Sequence, residues 1–174
     1  MNYAKINKND IANGIGIRVT LFVSGCTHYC EGCFNKEAWD FDFGQLFDEG
    51  VENELLEALS PSYISGLTLL GGEPMEPQNQ RCLVEFLEKV KEIYPQKTIW
   101  CYSGYTFEEL TGESRARCEV TDDILSLVDI LVDGEFQEEL KDISLRFKGS
   151  SNQRIIDMNK TRSSGEIVLW DGKK

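Results

Sequence analysis

Apolar runs of strand length alternate with amphipathic stretches along this chain. Ile17 to Val23 is the first such run, and it leads straight into a cysteine-rich loop, Ser24 to Asn35. From Gln45 to Leu59, the residues Leu46, Phe47, Leu55, Leu56 and Leu59 recur at helical spacing until Ser60-Pro61 stops them. Gly66 to Leu70 predicts a second strand, closed by the tight turn Gly71-Gly72-Glu73-Pro74. Between Asn79 and Ile93, Cys82, Leu83, Phe86, Leu87, Val90 and Ile93 form one stripe, so a helix follows and Pro95 ends it. Lys97 to Tyr102 is a third strand running into Ser103-Gly104-Tyr105. Thr121, with Asp122 and Asp123 behind it, caps a short helix through Val128. Asp129 to Val132 is a fourth strand ending at Asp133-Gly134. Arg154 to Met158 and Glu166 to Trp170 predict two more, joined by a turn around Ser163-Ser164-Gly165.

Strands alternating with helices at this spacing imply a parallel sheet with right-handed crossovers, whose ligands gather at the strands' C-terminal ends. The cysteine loop, the Gly71–Pro74 turn and the Ser103-Gly104-Tyr105 segment all fall there. Too few units are present to close an eight-fold barrel. The expected fold is therefore α/β, an open or partial barrel of about five or six mainly parallel strands, in a single domain over residues 1–174.

Composition narrows the partners. Hydrophobic residues make up 41% of the 174, enough for a core without staples. A formal charge of −12 opposes phosphate backbones and anionic membranes, so no nucleic acid and no membrane is expected as a partner. Residues Met1 to Asp10 are polar, no long apolar run exists, and the expected compartment is the cytoplasm. Six cysteines in a reducing compartment read as thiols or metal ligands. Cys82 and Cys101 sit in apolar patterns and read as packing residues, whereas Cys118 lies in a polar segment as an exposed, oxidisable thiol.

The other three cysteines carry the chemistry. Cys26, Cys30 and Cys33 are spaced C-x3-C-x2-C, close enough for one loop to wrap one cluster. Protein 4Fe-4S clusters are usually held by four cysteines, so three without a nearby fourth leave one iron open to another ligand. The competing readings are a zinc site completed by His28, a thioredoxin-like Cys30/Cys33 pair, and plain packing. His28, near the middle of a tight loop, is expected to face solvent or substrate.

With Gly71-Gly72-Glu73-Pro74 ending the next strand, this spacing resembles the radical S-adenosylmethionine superfamily, whose methionine-binding turn has that sequence. The resemblance implies a 4Fe-4S cluster on Cys26, Cys30 and Cys33 whose open iron binds the amino and carboxylate groups of S-adenosylmethionine. One-electron reduction of the sulfonium then yields methionine and a 5′-deoxyadenosyl radical that removes a hydrogen atom from the substrate. Cluster potentials reach about −700 mV, which calls for a donor such as reduced flavodoxin or ferredoxin.

A closer likeness, to the activating enzymes of anaerobic ribonucleoside-triphosphate reductases, extends over Gly14–Arg18, the loop through Phe34-Asn35, Trp100–Tyr105, Leu131–Gly134 and Gly149–Arg154. Gly32 before Cys33 replaces the aromatic of the wider superfamily and fits this narrower group. The likeness implies that the partner is the large reductase, in which a backbone glycine is converted to a glycyl radical. It also implies that Gly32, Cys33, Phe34, Gly71, Gly72, Glu73 and Pro74 surround S-adenosylmethionine, with Tyr29 or Phe34 as the aromatic near adenine. Ser103 and Asp133 stand at strand ends where a ribose or methionine would lie, or serve as turn chemistry. Arg18 is expected to pair with an acidic neighbour rather than to hold the incoming loop. Alternatives are activation of a pyruvate formate-lyase-like protein, a small-molecule radical enzyme, and a non-catalytic metal-binding module.

Overall fold

The computed structural model describes residues 1–172. One sheet of seven strands organises it: β1 (Asn2–Asp10), β2 (Ile17–Val23), β3 (Gln45–Leu46), β4 (Ile64–Gly71), β5 (Thr98–Tyr102), β6 (Ile130–Asp133) and β7 (Arg154–Asp157). Their spatial order is β3-β1-β2-β4-β5-β6-β7. The central β2, β4, β5 and β6 are parallel, whereas β1, β3 and β7 add antiparallel at the flanks. The helices are α1 (Glu49–Leu59), α2 (Pro77–Ile93), α3 (Phe107–Thr111), α4 (Thr121–Leu127) and α5 (Met158–Ser164). This is a mixed α/β sheet with a parallel centre, with seven strands where five or six were expected.

The strand pleat sorts side chains by period two. Val19, Leu21, Val23, Leu67, Leu69, Ile99, Cys101 and Leu131 turn to one face and pack into a single core with Leu55 and Leu59 of α1 and Leu83, Phe86, Leu87 and Val90 of α2. The other face carries Arg18, Thr20, Thr68, Trp100 and Tyr102, with a smaller cluster of Trp100, Ile130 and Val132 beneath Phe147 and Trp170. Packing helices on one face leaves the opposite face, and the strand ends above it, free to build a site.

Three expectations need correction, and one strand lies where no element was expected. The polar stretch Asn2–Asp10 forms a strand, because it pairs with β2 at the edge and buries only Tyr3 and Asp10. Glu166–Trp170 is no strand, making one bridge from Leu169 to Ile156, and the segment before it is α5. That helix has no apolar stripe to announce it; Asp157 caps it by accepting from Lys160 N at 3.0 Å and left-handed Gly165 ends it. Among the described residues Arg18 makes no ion pair with a carboxylate side chain. It is 1% exposed, its guanidinium donates to Thr68 Oγ1, Leu67 O, Thr98 O, Thr98 Oγ1 and Ile15 O, and it lies over the Trp100 ring. Burial pulls its pKa down to about 10. Finally, Cys118 is half-buried with its Sγ 3.5 Å from Gln80 Oε1, so it is not the exposed thiol expected. Among the described residues no helix is long and apolar enough to cross a membrane.

Candidate iron-sulfur and S-adenosylmethionine site

The cysteine loop begins where β2 ends, and its path is fixed by the backbone of its neighbours. Gly25 N donates to Ala38 O at 2.8 Å and Cys26 N to Trp39 O at 3.2 Å, which folds the segment 36–39 back against the loop's start. The turn after β4 joins the same knot, with Gly72 N donating to Val23 O at 2.7 Å and Glu73 N to Gly25 O at 2.8 Å. Only glycine fits at Gly72, because a Cβ there would stand 2.6 Å from Gly25 O and 2.8 Å from Ala38 O. The glycine-rich turn is therefore what lets β4's end lie against the cysteine loop.

Two carboxylates bracket the loop from the α2 side. Glu73, 1% exposed, accepts from Met75 N at 2.8 Å, Gly104 N at 2.7 Å and the His28 ring at 3.1 Å. Glu76, ahead of Pro77 at the start of α2, accepts from Thr27 N at 2.9 Å and from the Thr27 and Tyr105 hydroxyls. An ionised carboxylate only accepts, so His28 carries its proton on Nε2 when it bonds Glu73. His28 thus turns inward, at 4.3 Å between ring centroids from Tyr105, and does not face solvent. Burial acts to lower its pKa, but Glu73 and then Glu135 raise it overall.

Around one cavity of about 150 Å³ the structure gathers Cys26, Cys30, Cys33, Phe34, Gly71, Gly72, Glu73 and Ser103. Gly32 and Pro74 do not line it, and Asp133 lines a neighbouring polar cavity instead. There its carboxylate accepts from Phe107 N at 2.7 Å and from Arg154, which also bridges to Glu108. Ser103 Oγ accepts from Tyr105 N at 3.1 Å. Of the two aromatics considered for adenine, Phe34 lines the cavity, while Tyr29 packs edge-on against Trp39 at 5.1 Å. Gly32 has φ 72°, a left-handed conformation that strains any residue with a side chain, which fits the lack of an aromatic before Cys33.

The donor set fits an iron–sulfur cluster. All three loop cysteines are free thiols, and sulfur suits iron. Burial pushes the Cys26 thiol up to about 12, and burial with Glu135 pushes Cys30 up to about 11, so iron must displace their protons. No fourth cysteine lines the cavity. Cys101 points into the helix-covered core, Cys82 meets the N-terminal amine, and Cys118 meets Gln80. Among the described residues no three His, Cys, Asp or Glu side chains close on a point as a single ion demands, and His28 is committed to Glu73. A cluster, in which each thiolate meets a different iron, makes no such demand.

Sequence reasoning passed over Thr27, Glu76, Tyr102 and Phe136. Glu76 had a readable signal, an acidic residue directly before a proline at a helix start. The others are brought together by strand order alone.

The chain is 45% identical over 157 residues to an anaerobic ribonucleoside-triphosphate reductase-activating protein of Pasteurella multocida, covering 89% of this chain and 96% of that one. It is 43% identical over 157 residues to the protein so named in Haemophilus influenzae, at 89% and 97% coverage. The chain belongs to the anaerobic ribonucleoside-triphosphate reductase-activating protein family. Membership reaches the phage relative of that name, from Enterobacteria phage T4, at 42% identity over 155 residues, 89% of this chain and 93% of that one. Residues 12–156 also match the family model of a 4Fe-4S single cluster domain, a span that includes the cysteine loop and every central strand of this activating-protein fold.

Proposed function

We propose that this protein activates an anaerobic ribonucleotide reductase by generating a glycyl radical on it through reductive cleavage of S-adenosylmethionine. The observation that carries the reading is the meeting of three free thiols from one loop with the Gly71–Glu73 turn around one cavity that lacks a fourth cysteine. Cys26, Cys30 and Cys33 hold the 4Fe-4S cluster in this reading. When bound there, the cluster supplies one electron to the sulfonium of S-adenosylmethionine at its open iron. A reduced flavodoxin or ferredoxin is the donor.

The chain's own residues orient the reactants. Gly71, Gly72 and Glu73 offer backbone close to the loop for the methionine ammonium, Ser103 stands beside it, and Phe34 offers its ring to adenine. Pro74 and Gly32 shape the turns that bear these groups, and the Asp133–Arg154–Glu108 chain fixes the neighbouring wall. The family relationship and the donor set support this reading over a non-catalytic metal-binding module.

Anaerobic reconstitution tests it. The protein should take up about four irons per chain and, with a reductant, convert S-adenosylmethionine to methionine and 5′-deoxyadenosine. Cys30→Ala should abolish that cleavage; a variant that retained full cleavage would overturn the assignment.

A further inference from the structure

The cluster cavity has a second, apolar way out. A groove of about 420 Å³ shares Cys33, Phe34, Leu70, Tyr102, Phe136 and Gln153 with it and runs on past Ile143, Leu145 and Phe147. Phe34 is 90% exposed and Ile143 is 97% exposed. Both are large apolar side chains at the lip of one groove, and adenine on Phe34, a small and largely enclosed ligand, would leave Ile143 wet. Something that extends beyond the groove is needed to cover it.

The lip is held in place before anything binds. Gln153 Oε1 accepts from Gly149 N at 2.8 Å, its Nε2 donates to Gly134 O at 2.9 Å, Lys148 Nζ donates to Gln153 O at 2.8 Å, and Phe147 packs edge-on to Trp100 at 5.3 Å. Its charge is opposite to that of the chain. Residues 141–148 carry Lys141, Arg146 and Lys148 against Asp142 alone, in a protein of formal charge −12. Lys141 is engaged by Glu138 and Lys148 by backbone carbonyls, while Arg146 lies on the Phe147 ring at 4.7 Å with no ion pair to a carboxylate side chain among the described residues. Tyr102 lines both the groove and the cluster cavity, and its hydroxyl is buried with no hydrogen-bond partner among the described residues. Such a group costs stability until something pairs with it.

We propose that this groove seats an extended segment of the reductase, with apolar side chains against Ile143, an acidic group toward the basic stretch 141–148, and a backbone amide or carbonyl bonded to the Tyr102 hydroxyl. The inference rests on the function proposed above, and it says where the protein substrate enters. Main-chain anchoring at Tyr102 would hold a backbone carbon next to the cavity in which the radical forms, which is what hydrogen abstraction from a glycine requires.

The test measures the reconstituted full-length protein alone and with the reductase. Ile143→Glu lies on an exposed loop, so reductant-driven formation of 5′-deoxyadenosine without reductase should match wild type. The reductase concentration giving half-maximal glycyl radical signal should rise about tenfold or more, as expected from losing one buried isoleucine contact. Tyr102→Phe should lower the glycyl radical formed per 5′-deoxyadenosine several-fold. An unchanged half-saturating concentration for Ile143→Glu overturns the groove, and an unchanged ratio for Tyr102→Phe overturns the anchor. A wild-type protein that sediments as a dimer, and an Ile143→Glu variant that sediments as a monomer, would assign the groove to a second copy and overturn the proposal. Absence of 5′-deoxyadenosine from the wild type would instead refute the function on which the inference rests.

Discussion

Replacing Glu73 by Gln removes half of the bracket on the cysteine loop while leaving its shape intact. One carboxylate oxygen accepts from Met75 N and the other from Gly104 N and the His28 ring. An amide keeps one acceptor and turns a donor toward the other partner. Holding Gly104 and His28 therefore sets an N–H against Met75 N. A hydrogen bond to a charged group contributes about 1.5–3 kcal/mol, and a buried donor left unpaired costs about 1–3 kcal/mol. The sum is about 2.5–6 kcal/mol, a large part of a domain's usual 5–15 kcal/mol or so. At about 2–4 °C per kcal/mol for a chain of this size, the melting midpoint should fall by roughly 5–24 °C. Urea and thermal unfolding followed by circular dichroism under anaerobic, reducing conditions would measure it, with the exposed Glu57→Gln as a control expected within about 0.5 kcal/mol of wild type. A Glu73→Gln loss below about 1 kcal/mol would refute the idea that this side chain ties three elements together.

Two further predictions concern the sheet and its flank. Arg18→Met should destabilise the protein by at least about 3 kcal/mol, because Thr68 Oγ1 and the Leu67 and Thr98 carbonyls lose a donor, and Arg18→Lys should not restore it since one ammonium lacks the forked geometry; a lysine variant as stable as wild type would contradict this. Glu108 is held from its usual 4.5 down to about 2, chiefly by its bond to Arg154. A depressed carboxylate contributes stability that is present above about pH 4.5 and is lost as the pH falls toward 2. Glu108→Gln should therefore flatten the fall of the urea midpoint across that window by a small amount, since the side chain is largely exposed, and an unaltered slope would count against the bond.

The sheet's centre was legible because β2, β4, β5 and β6 are buried on both faces and read as apolar runs. The edges were not. β1 is held by pairing to β2 rather than by apolar content, and α5 depends on its caps, Asp157 and Gly165, in a stretch without an apolar stripe. The cysteine spacing and the Gly71–Pro74 turn are contiguous in sequence and could be read directly. That Glu73 reaches His28 and Gly104, or that Tyr102 and Gln153 meet Cys33, depends on β4, β5 and β6 lying side by side, which no local pattern encodes. Arg18 shows the converse: its charge suggested an ion pair, yet in the closed sheet five hydrogen bonds to neutral acceptors take that role.

Electron paramagnetic resonance of the reductase tests the central claim most directly. When the reconstituted protein, the reductase, S-adenosylmethionine and a strong reductant are mixed without oxygen, a glycyl radical signal should appear in the reductase, and it should be absent with Cys30→Ala. A wild-type protein that cleaves S-adenosylmethionine yet gives no glycyl radical, or a Cys30→Ala protein that gives the full signal, would contradict the account.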